Sequence, residues 1–179
     1  MTSICLTPYK QSLAQVNKFQ LVFPRISNTT FFCTEVKIPG ITLSEADAPN
    51  PFVDLKVPGD KLTYDTLDIT FLVDSEYKSF NDILVWLTGL GFPENFDQYA
   101  GLGAAAIRRG APTSGIRPPY SDAQLLVFTN KGNYARKFYF KDAFPLNLGG
   151  IDMTYAGGGA SIVMKCTASF RYSYYNLIS

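Results

Sequence analysis

The sequence predicts a mainly β fold: an antiparallel β-sandwich or barrel, β-rich α+β in class, built around one central amphipathic helix. Three observations predict it. Residues 66–73 alternate with period two, Leu67, Ile69, Phe71 and Val73 on one face and Thr66, Asp68 and Thr70 on the other, as a half-buried strand requires. The period then changes: Tyr77, Phe80, Leu84 and Leu87 recur at spacings of three and four with Ile83 beside them, the apolar stripe of a helix. Residues 161–174 return to period two, with Ile162, Met164, Phe170 and Tyr172 on a dry face and Lys165, Thr167, Ser169 and Arg171 on a polar one, a run longer than an ordinary strand.

Taken in order, residues 1–17 are mildly polar and broken by Pro8, which predicts an arm. Residues 18–24 alternate, Phe19, Leu21 and Phe23 to one side, and predict a first strand. Asn28-Thr29-Thr30 reads as a turn into a returning strand over 31–38, a hairpin whose Phe32, Val36 and Ile38 face the core and which Pro39-Gly40 ends. Residues 41–56, bearing Glu45, Asp47, Pro49 and Pro51, predict an extended surface loop or a partly paired edge. Pro58-Gly59-Asp60 has turn chemistry, since proline presets φ and glycine accepts positive φ.

After the strand at 66–73, a helix is expected from about Glu76, capped by Asp74 or Ser75 and stopped by Gly89, Gly91 and Pro93. Residues 92–122 form a long excursion, rich in glycine and proline. Residues 124–129 and 134–140 flank Asn130-Lys131-Gly132-Asn133, a second hairpin. Phe144-Pro145 is expected to interrupt the chain, residues 151–155 to form a short strand, and Gly157-Gly158-Gly159 to turn it into the final long one. The 179 residues suffice for a single domain with its own core, so 1–179 is expected to be one unit.

Composition narrows function by exclusion. The chain has 46% hydrophobic and 15% aromatic residues, a globular balance in which the aromatics favour strands. Sixteen basic against fifteen acidic residues leave a net charge of +1, too little for a strong nucleic-acid footprint. There is no histidine, which removes the commonest general base and the commonest metal ligand together and speaks against an enzyme. Cys5, Cys33 and Cys166 are odd in number and widely spaced, fitting neither a disulfide framework nor a zinc site and favouring a reducing compartment. No apolar stretch approaches the length that crosses a bilayer as a helix, and no secretory leader is evident, so a soluble chain made in the cytoplasm is expected.

Each chemical motif has a structural reading that fits better. The triple glycine lacks the helix start and the lysine of a phosphate loop and suits a turn. Asp60, Asp65, Asp68 and Asp74 match no calcium loop; turn, polar-face and capping roles explain them. Arg108, Arg109 and Arg117, with Lys10, suit a solvated loop or a charge partner on another subunit. Trp86 suits core or interface, and Cys5 a free thiol. No cofactor and no metal is expected.

The order of several motifs carries more. Val57-Pro58-Gly59-Asp60-Lys61, then Tyr64-Asp65, Leu67-Asp68-Ile69-Thr70-Phe71, Asp74-Ser75-Glu76 and the run from Phe80 to Trp86 resemble the core signature of tail tube proteins of contractile-tailed, myovirus-type bacteriophages. Phe138 to Lys141, Ala143-Phe144-Pro145-Leu146-Asn147 and a close in Tyr172, Tyr174 and Tyr175 resemble the same family in the same order, as do Asn17-Lys18-Phe19 and the Cys33 to Gly40 run. The resemblance covers most of the chain apart from the arm and the 92–122 excursion.

That resemblance implies a structural virion protein, not an enzyme: a subunit that closes into hexameric rings stacked into a tube, whose lumen passes DNA from capsid to host. Its implied partners are copies of itself, the tail sheath protein, the baseplate initiator and the tail terminator. The DNA passes without sequence-specific binding, and the protein's place is the virion tail after synthesis in the bacterial cytoplasm. In this setting Tyr77, Phe80, Ile83, Leu84 and Leu87 are the expected core of the helix. Asp68, Thr70, Lys165, Thr167, Ser169 and Arg171 form the candidate lumenal or outer polar face. Glu45, Asp47, Arg108, Arg109 and Arg117 are candidate contacts between rings. A baseplate tube initiator or a tube subunit of a type six or extracellular injection machine shares the expected fold. A carbohydrate-binding β-sandwich is the distinct alternative, given the tyrosines.

Overall fold

The computed structural model describes residues 15–26, 29, 32–99, 119–151, 153 and 163–178, and among these nine strands and a 14-residue helix set the architecture. The strands are β1 (Phe19–Val22), β2 (Cys33–Lys37), β3 (Ile41–Ala48), β4 (Leu55–Tyr64), β5 (Leu67–Leu72), β6 (Ser121–Phe128), β7 (Tyr134–Leu148), β8 (Lys165–Arg171) and β9 (Tyr174–Ile178). The helix, α1 (Lys78–Gly91), lies between β5 and β6 in the chain. Every strand pair is antiparallel.

The 15-residue β7 joins two layers. Its first half pairs with β6 and β9, with β1 beyond β6; its second half pairs with β8, with β5 and then β2 beyond. Leu21, Leu125 and Phe140 from the first layer and Leu67, Ile69, Phe71, Ala168 and Phe170 from the second are buried in one core. Phe23 and Phe170 bring the layers together with ring centroids 4.7 Å apart.

The layers are linked by a corner. Asp142 adopts φ 54°, in the left-handed region, and Asp122 stabilises it by accepting the Asp142 N–H at 3.2 Å. Opposite it the chain bends at Tyr172 and Ser173, where the Ser173 N–H donates to the Lys141 carbonyl at 2.9 Å. Lys141 faces Tyr174 on one side of the bend and Phe144 faces Arg171 on the other, so one pairing register runs through the corner and shifts only farther along, between Pro145 and Asn147. Two expectations are corrected here. Phe144-Pro145 does not interrupt the chain, because β7 runs through it with Pro145 buried; the long strand expected at 161–174 is β8 alone, and β9 begins only at Tyr174, past the bend, in the other layer.

Three further expectations change. β1 and β2 are not a hairpin: β1 pairs with β6 and β2 with β5, because the dry faces they carry belong to opposite layers. Ile38 therefore stands 47% exposed beside a cleft between them instead of in the core. Of the two readings of residues 41–56 the partly paired strand is the one that forms, as β3 with a loop at 49–54, whereas Pro58-Gly59-Asp60 is not a turn but lies in β4 of the same two-stranded ribbon. Between the pairs Leu43 to Leu62 and Glu45 to Pro58, Ser44 alone opposes Gly59, Asp60 and Lys61, which makes a bulge. A Cβ on Gly59 would stand 2.8 Å from the Ser44 carbonyl oxygen, so the glycine answers a close backbone approach. The Ser44 hydroxyl accepts the Lys61 N–H at 3.2 Å and closes the bulge.

The hairpin expected around Gly132 is present as β6 and β7, with Gly132 at φ 79° and its N–H donating to the Thr129 carbonyl at 2.9 Å. Ile151 and Met153 lie in no strand; the remainder of the strand expected at 151–155, the triple glycine and Ile162 fall outside the described residues. So do Cys5, most of the N-terminal arm and residues 100–118 of the excursion.

α1 closes the core beside Phe170. Its buried residues are Ser79, Ile83, Trp86 and Gly89, with Phe80, Leu87 and Leu90 partly buried against the core. Leu84, expected in the core, is 40% exposed, since the packed face is centred one residue earlier, on Ile83. Tyr77, also expected within the helix, is its N-cap in the left-handed region and packs from there. Asp74 does the capping, accepting the Ser79 N–H at 3.1 Å and the Ser79 hydroxyl at 2.9 Å. Desolvation pushes the Asp74 carboxyl up, but the hydrogen bonds from Ser79 and the Lys78 backbone outweigh it and hold it below the usual carboxylate range. Trp86 donates its indole N–H to the Pro119 carbonyl at 2.9 Å and lies under the Arg25 guanidinium, 4.9 Å from the ring centroid.

Candidate assembly and lumen surfaces

The second layer, in the order β2, β5, β8, β7, has one dry face and one polar face because its strands alternate in step. Leu67, Ile69, Phe71, Ala168 and Phe170 are buried on the dry face, and Val73 and Tyr172 are buried just past the ends of β5 and β8. Met164 packs there half-buried. Cross-strand register assembles the opposite face: Asp68 opposes Ser169, Thr70 opposes Thr167, and Leu72 opposes Lys165. Arg171 follows two residues beyond Ser169 on the same face.

Register adds residues that the sequence reading left out. Lys37 opposes Asp68 and Glu35 opposes Thr70, while Asn147 opposes Ser169 from β7. The signal was available in Val36, whose inward position puts Glu35 and Lys37 outward; the strand that receives them was not. Lys37, Glu35, Lys165, Thr167, Arg171 and Asn147 are exposed, and Asp68, Thr70 and Ser169 half-buried. Thr34, the extra residue where the β2 register shifts, donates its hydroxyl to the Thr70 carbonyl at 3.2 Å.

This layer ends in two edges. Among the described residues β2 pairs only with β5, and β7 from Phe144 onward pairs only with β8, so each offers an unpaired ladder on its far side.

The ribbon of β3 and β4 stands apart from both layers, with Ile41, Leu43, Leu55, Val57 and Leu62 exposed along it and Phe52, 96% exposed, in the connection at its tip. Its root is fixed: the Asp65 N–H donates to the Gly40 carbonyl at 3.1 Å, the Tyr175 hydroxyl donates to the Pro39 carbonyl at 3.2 Å, and Tyr64 meets Tyr172 and Tyr175 edge-on. Glu45 and Asp47 both face Lys56 across the ribbon, at 3.7 and 2.5 Å. Those two candidate contacts thus share one lysine, which offsets only one of their two charges in an exposed network worth little to stability. Arg108, Arg109 and Arg117 fall outside the described residues.

A cleft of about 430 Å³ lies between β1 and β2, lined chiefly by Phe19, Val36, Ile38, Leu125 and Val127. It gathers no set of titratable groups suited to catalysis. Among the described residues no group of three or more His, Cys, Asp or Glu is placed to hold a metal ion, and no helix is long and apolar enough to cross a membrane. Burial pushes the Cys33 thiol up to about 11 and raises that of Cys166, the reverse of what a nucleophilic thiolate needs.

The polar-faced sheet has two unpaired edges and an apolar ribbon beside it, and comparison with known proteins gives the family to which such a chain belongs. A family model described as phage tail tube protein matches residues 9–178. The chain belongs to that family. As a tail tube protein it is a structural component of the virion tail. Its fold is similar to that of a chain from the baseplate of the anti-feeding prophage, with a TM-score of 0.57 and 11% identity over 94% of this chain and 97% of that one. It is also similar to a chain of the sheath-tube complex of the PVC extracellular contractile injection system, with a TM-score of 0.57 and 10% identity over 93% and 92%. A third likeness is to a chain in the tube-terminating cap of the anti-feeding prophage, with a TM-score of 0.59 and 9% identity over 99% and 98%. At such identities these likenesses concern the fold. No curated protein matches the sequence.

Proposed function

We propose that this tail tube protein is the repeating subunit of the tube wall, that six copies close into a ring, and that stacked rings enclose a lumen through which DNA leaves the capsid. The observation that carries the reading is the four-stranded layer with an unpaired edge at each end, one dry face and one polar face. Joining β2 of one copy to the second half of β7 of the next satisfies both edges, and repetition of that head-to-tail contact closes a ring. The polar face of the layer then lines the lumen, where β strands alternate inward and outward. Residues 1–179 act as one domain.

The ribbon of β3 and β4 is the contact between rings, because its exposed Ile41, Leu43, Val57 and Leu62 need cover that the described residues do not provide. Residues 1–17 and 92–122, with Arg108, Arg109 and Arg117, extend this contact. Outside the wall the tube meets the sheath, and at its ends the baseplate initiator and the terminator. Negative-stain electron microscopy of the purified chain tests the proposal. Rings with six-fold averages, or tubes built from them, are expected; a monodisperse monomer at every concentration up to the solubility limit would sink it.

A further inference from the structure

The two open edges of the second layer each carry an exposed apolar residue. On β7 the register shifts between Pro145, which opposes Phe170, and Asn147, which opposes Ser169, so Leu146 is the extra residue of a bulge. A bulge sets two residues against one, which places Leu146 with Pro145 opposite Phe170 of the dry face. Phe144 and Leu148 to either side pack half-buried against the core, whereas Leu146 stands 55% exposed. The bulge thus re-aims an apolar side chain at a free edge, where the described residues give it no cover.

On the other side of the molecule β1 and β2 are edge strands of different layers: among the described residues β1 pairs only with β6, and β2 only with β5. The apolar cleft of about 430 Å³ opens between them. Phe19, Leu125 and Val127 form its wall on the first layer, and Val36 and the exposed Ile38 its wall on the second. Val36 opposes Ile69, which is buried, so this wall continues the dry face to which Leu146 belongs. Lys18 and Glu35 stand at the cleft with one charge of each sign, which suits an uncharged occupant.

We infer that the cleft is a socket for Leu146 of the neighbouring copy of this chain. The inference rests on the proposed joining of β2 of one copy to β7 of the next. That contact extends the second layer across β2 and sets the dry side of the neighbour's β7 beside Val36 and Ile38, where Leu146 is its exposed residue. The socket then fixes the register between copies. A ladder of backbone hydrogen bonds tolerates a slide of two residues, which keeps every side chain on its face, whereas a leucine seated in a cleft does not.

The test uses the full chain carrying Cys5→Ser and Cys33→Ser, with the buried Cys166 left in place. Ile38→Cys and Leu146→Cys are combined in it, and assembled rings are treated with a short bis-maleimide and run on a denaturing gel. A ladder of linked copies is expected from the pair and none from either change alone. Separately, sedimentation of the otherwise unaltered chain measures the concentration of half-assembly. Leu146→Ala is expected to raise it about tenfold while the thermal melt of the dissociated subunit stays as in wild type. Rings that form without the ladder, or that assemble as wild type with Leu146→Ala, overturn the socket and leave the ring reading standing. A lowered melt would place Leu146 within its own subunit and overturn it too. If Ile38→Cys is shielded from a maleimide in dissociated subunits and deletion of residues 1–14 exposes it, the arm of the same chain fills the cleft and the socket is overturned. A wild-type chain that stays monomeric at every concentration brings down the ring reading and the inference together.

Discussion

Tyr139 donates its hydroxyl to Asp122 at 2.5 Å, and this bond fastens the first layer at the corner where β7 turns into the second one. The same carboxylate accepts the N–H of Asp142, the residue that makes the turn with positive φ. One acidic side chain thus supports a backbone conformation that would otherwise be strained.

Removing that bond is expected to cost about 1–2 kcal/mol in Tyr139→Phe and more in Asp122→Ala, which also leaves the Asp142 N–H without its partner. Urea unfolding of the dissociated subunit measures both. The hydrogen bond to Asp122, with burial and the negative charge of Asp122 adding to it, raises the Tyr139 hydroxyl to about 12. Its stabilisation is therefore complete below the ordinary tyrosine value near 10 and declines as pH rises through the interval up to about 12. The stability gap between wild type and Tyr139→Phe should narrow over that interval; a constant gap would detach the pH dependence from this bond.

In the helix, Ile83→Ala should cost about 2–5 kcal/mol through a core cavity. Leu84→Ala, one residue on, should cost under about 1 kcal/mol in the dissociated subunit, because its side chain is half in solvent. Denaturant midpoints of the two variants settle which face packs, and equal losses would contradict the orientation of α1.

Gly59→Ala places a methyl group against the Ser44 backbone, where no rotamer relieves it. The core does not depend on the ribbon, so the thermal midpoint of the subunit should move by less than a few degrees, given about 1 kcal/mol or less lost globally. Tube growth should fail or slow severely, as turbidity and electron microscopy would record. Normal tubes from this variant would free the ribbon from the contact between rings.

Deleting residues 100–118 should leave a folded subunit, judged by its far-ultraviolet dichroism and cooperative melt, while shortening or abolishing tubes. Tubes of ordinary length from the deletion would limit the excursion to a solvated loop.

Much of this architecture was legible where local pattern and tertiary fate agree. Leu67, Ile69 and Phe71 alternate with Asp68 and Thr70, and β5 buries one set against the core. Gly132 sits between two aromatic runs, and a hairpin forms there. What could not be read is which strands become neighbours. β1 and β2 are close in sequence and each dry on one face, but nothing in either says that they serve opposite layers, so a hairpin was expected where none exists. Pro58-Gly59 has the composition of a turn, and glycine at a tight turn looks the same in sequence as glycine under a crossing backbone; only Ser44, fifteen residues away, distinguishes them. Alternation across 161–174 runs on in the sequence because Tyr174 and Tyr175 are both aromatic, whereas at the bend the inward face shifts by one residue, from buried Tyr172 past exposed Tyr174 to Tyr175. The stripe of α1 was found but centred one residue too far along, since Leu84 and Ile83 are both apolar and hydrophobicity alone does not rank them. For the polar face, β5 and β8 were each readable, whereas Lys37 and Glu35 came to it only through pairing.

The unbroken register through the corner of β7 has a mechanical consequence. A one-residue slip of β8 against β7 would require β9 to slip against β7 as well, turning Phe170 and Tyr175 away from the core in the same movement. The two layers therefore resist shear as a single folded plate, and a pull applied along one is borne by the hydrogen-bond ladders of both.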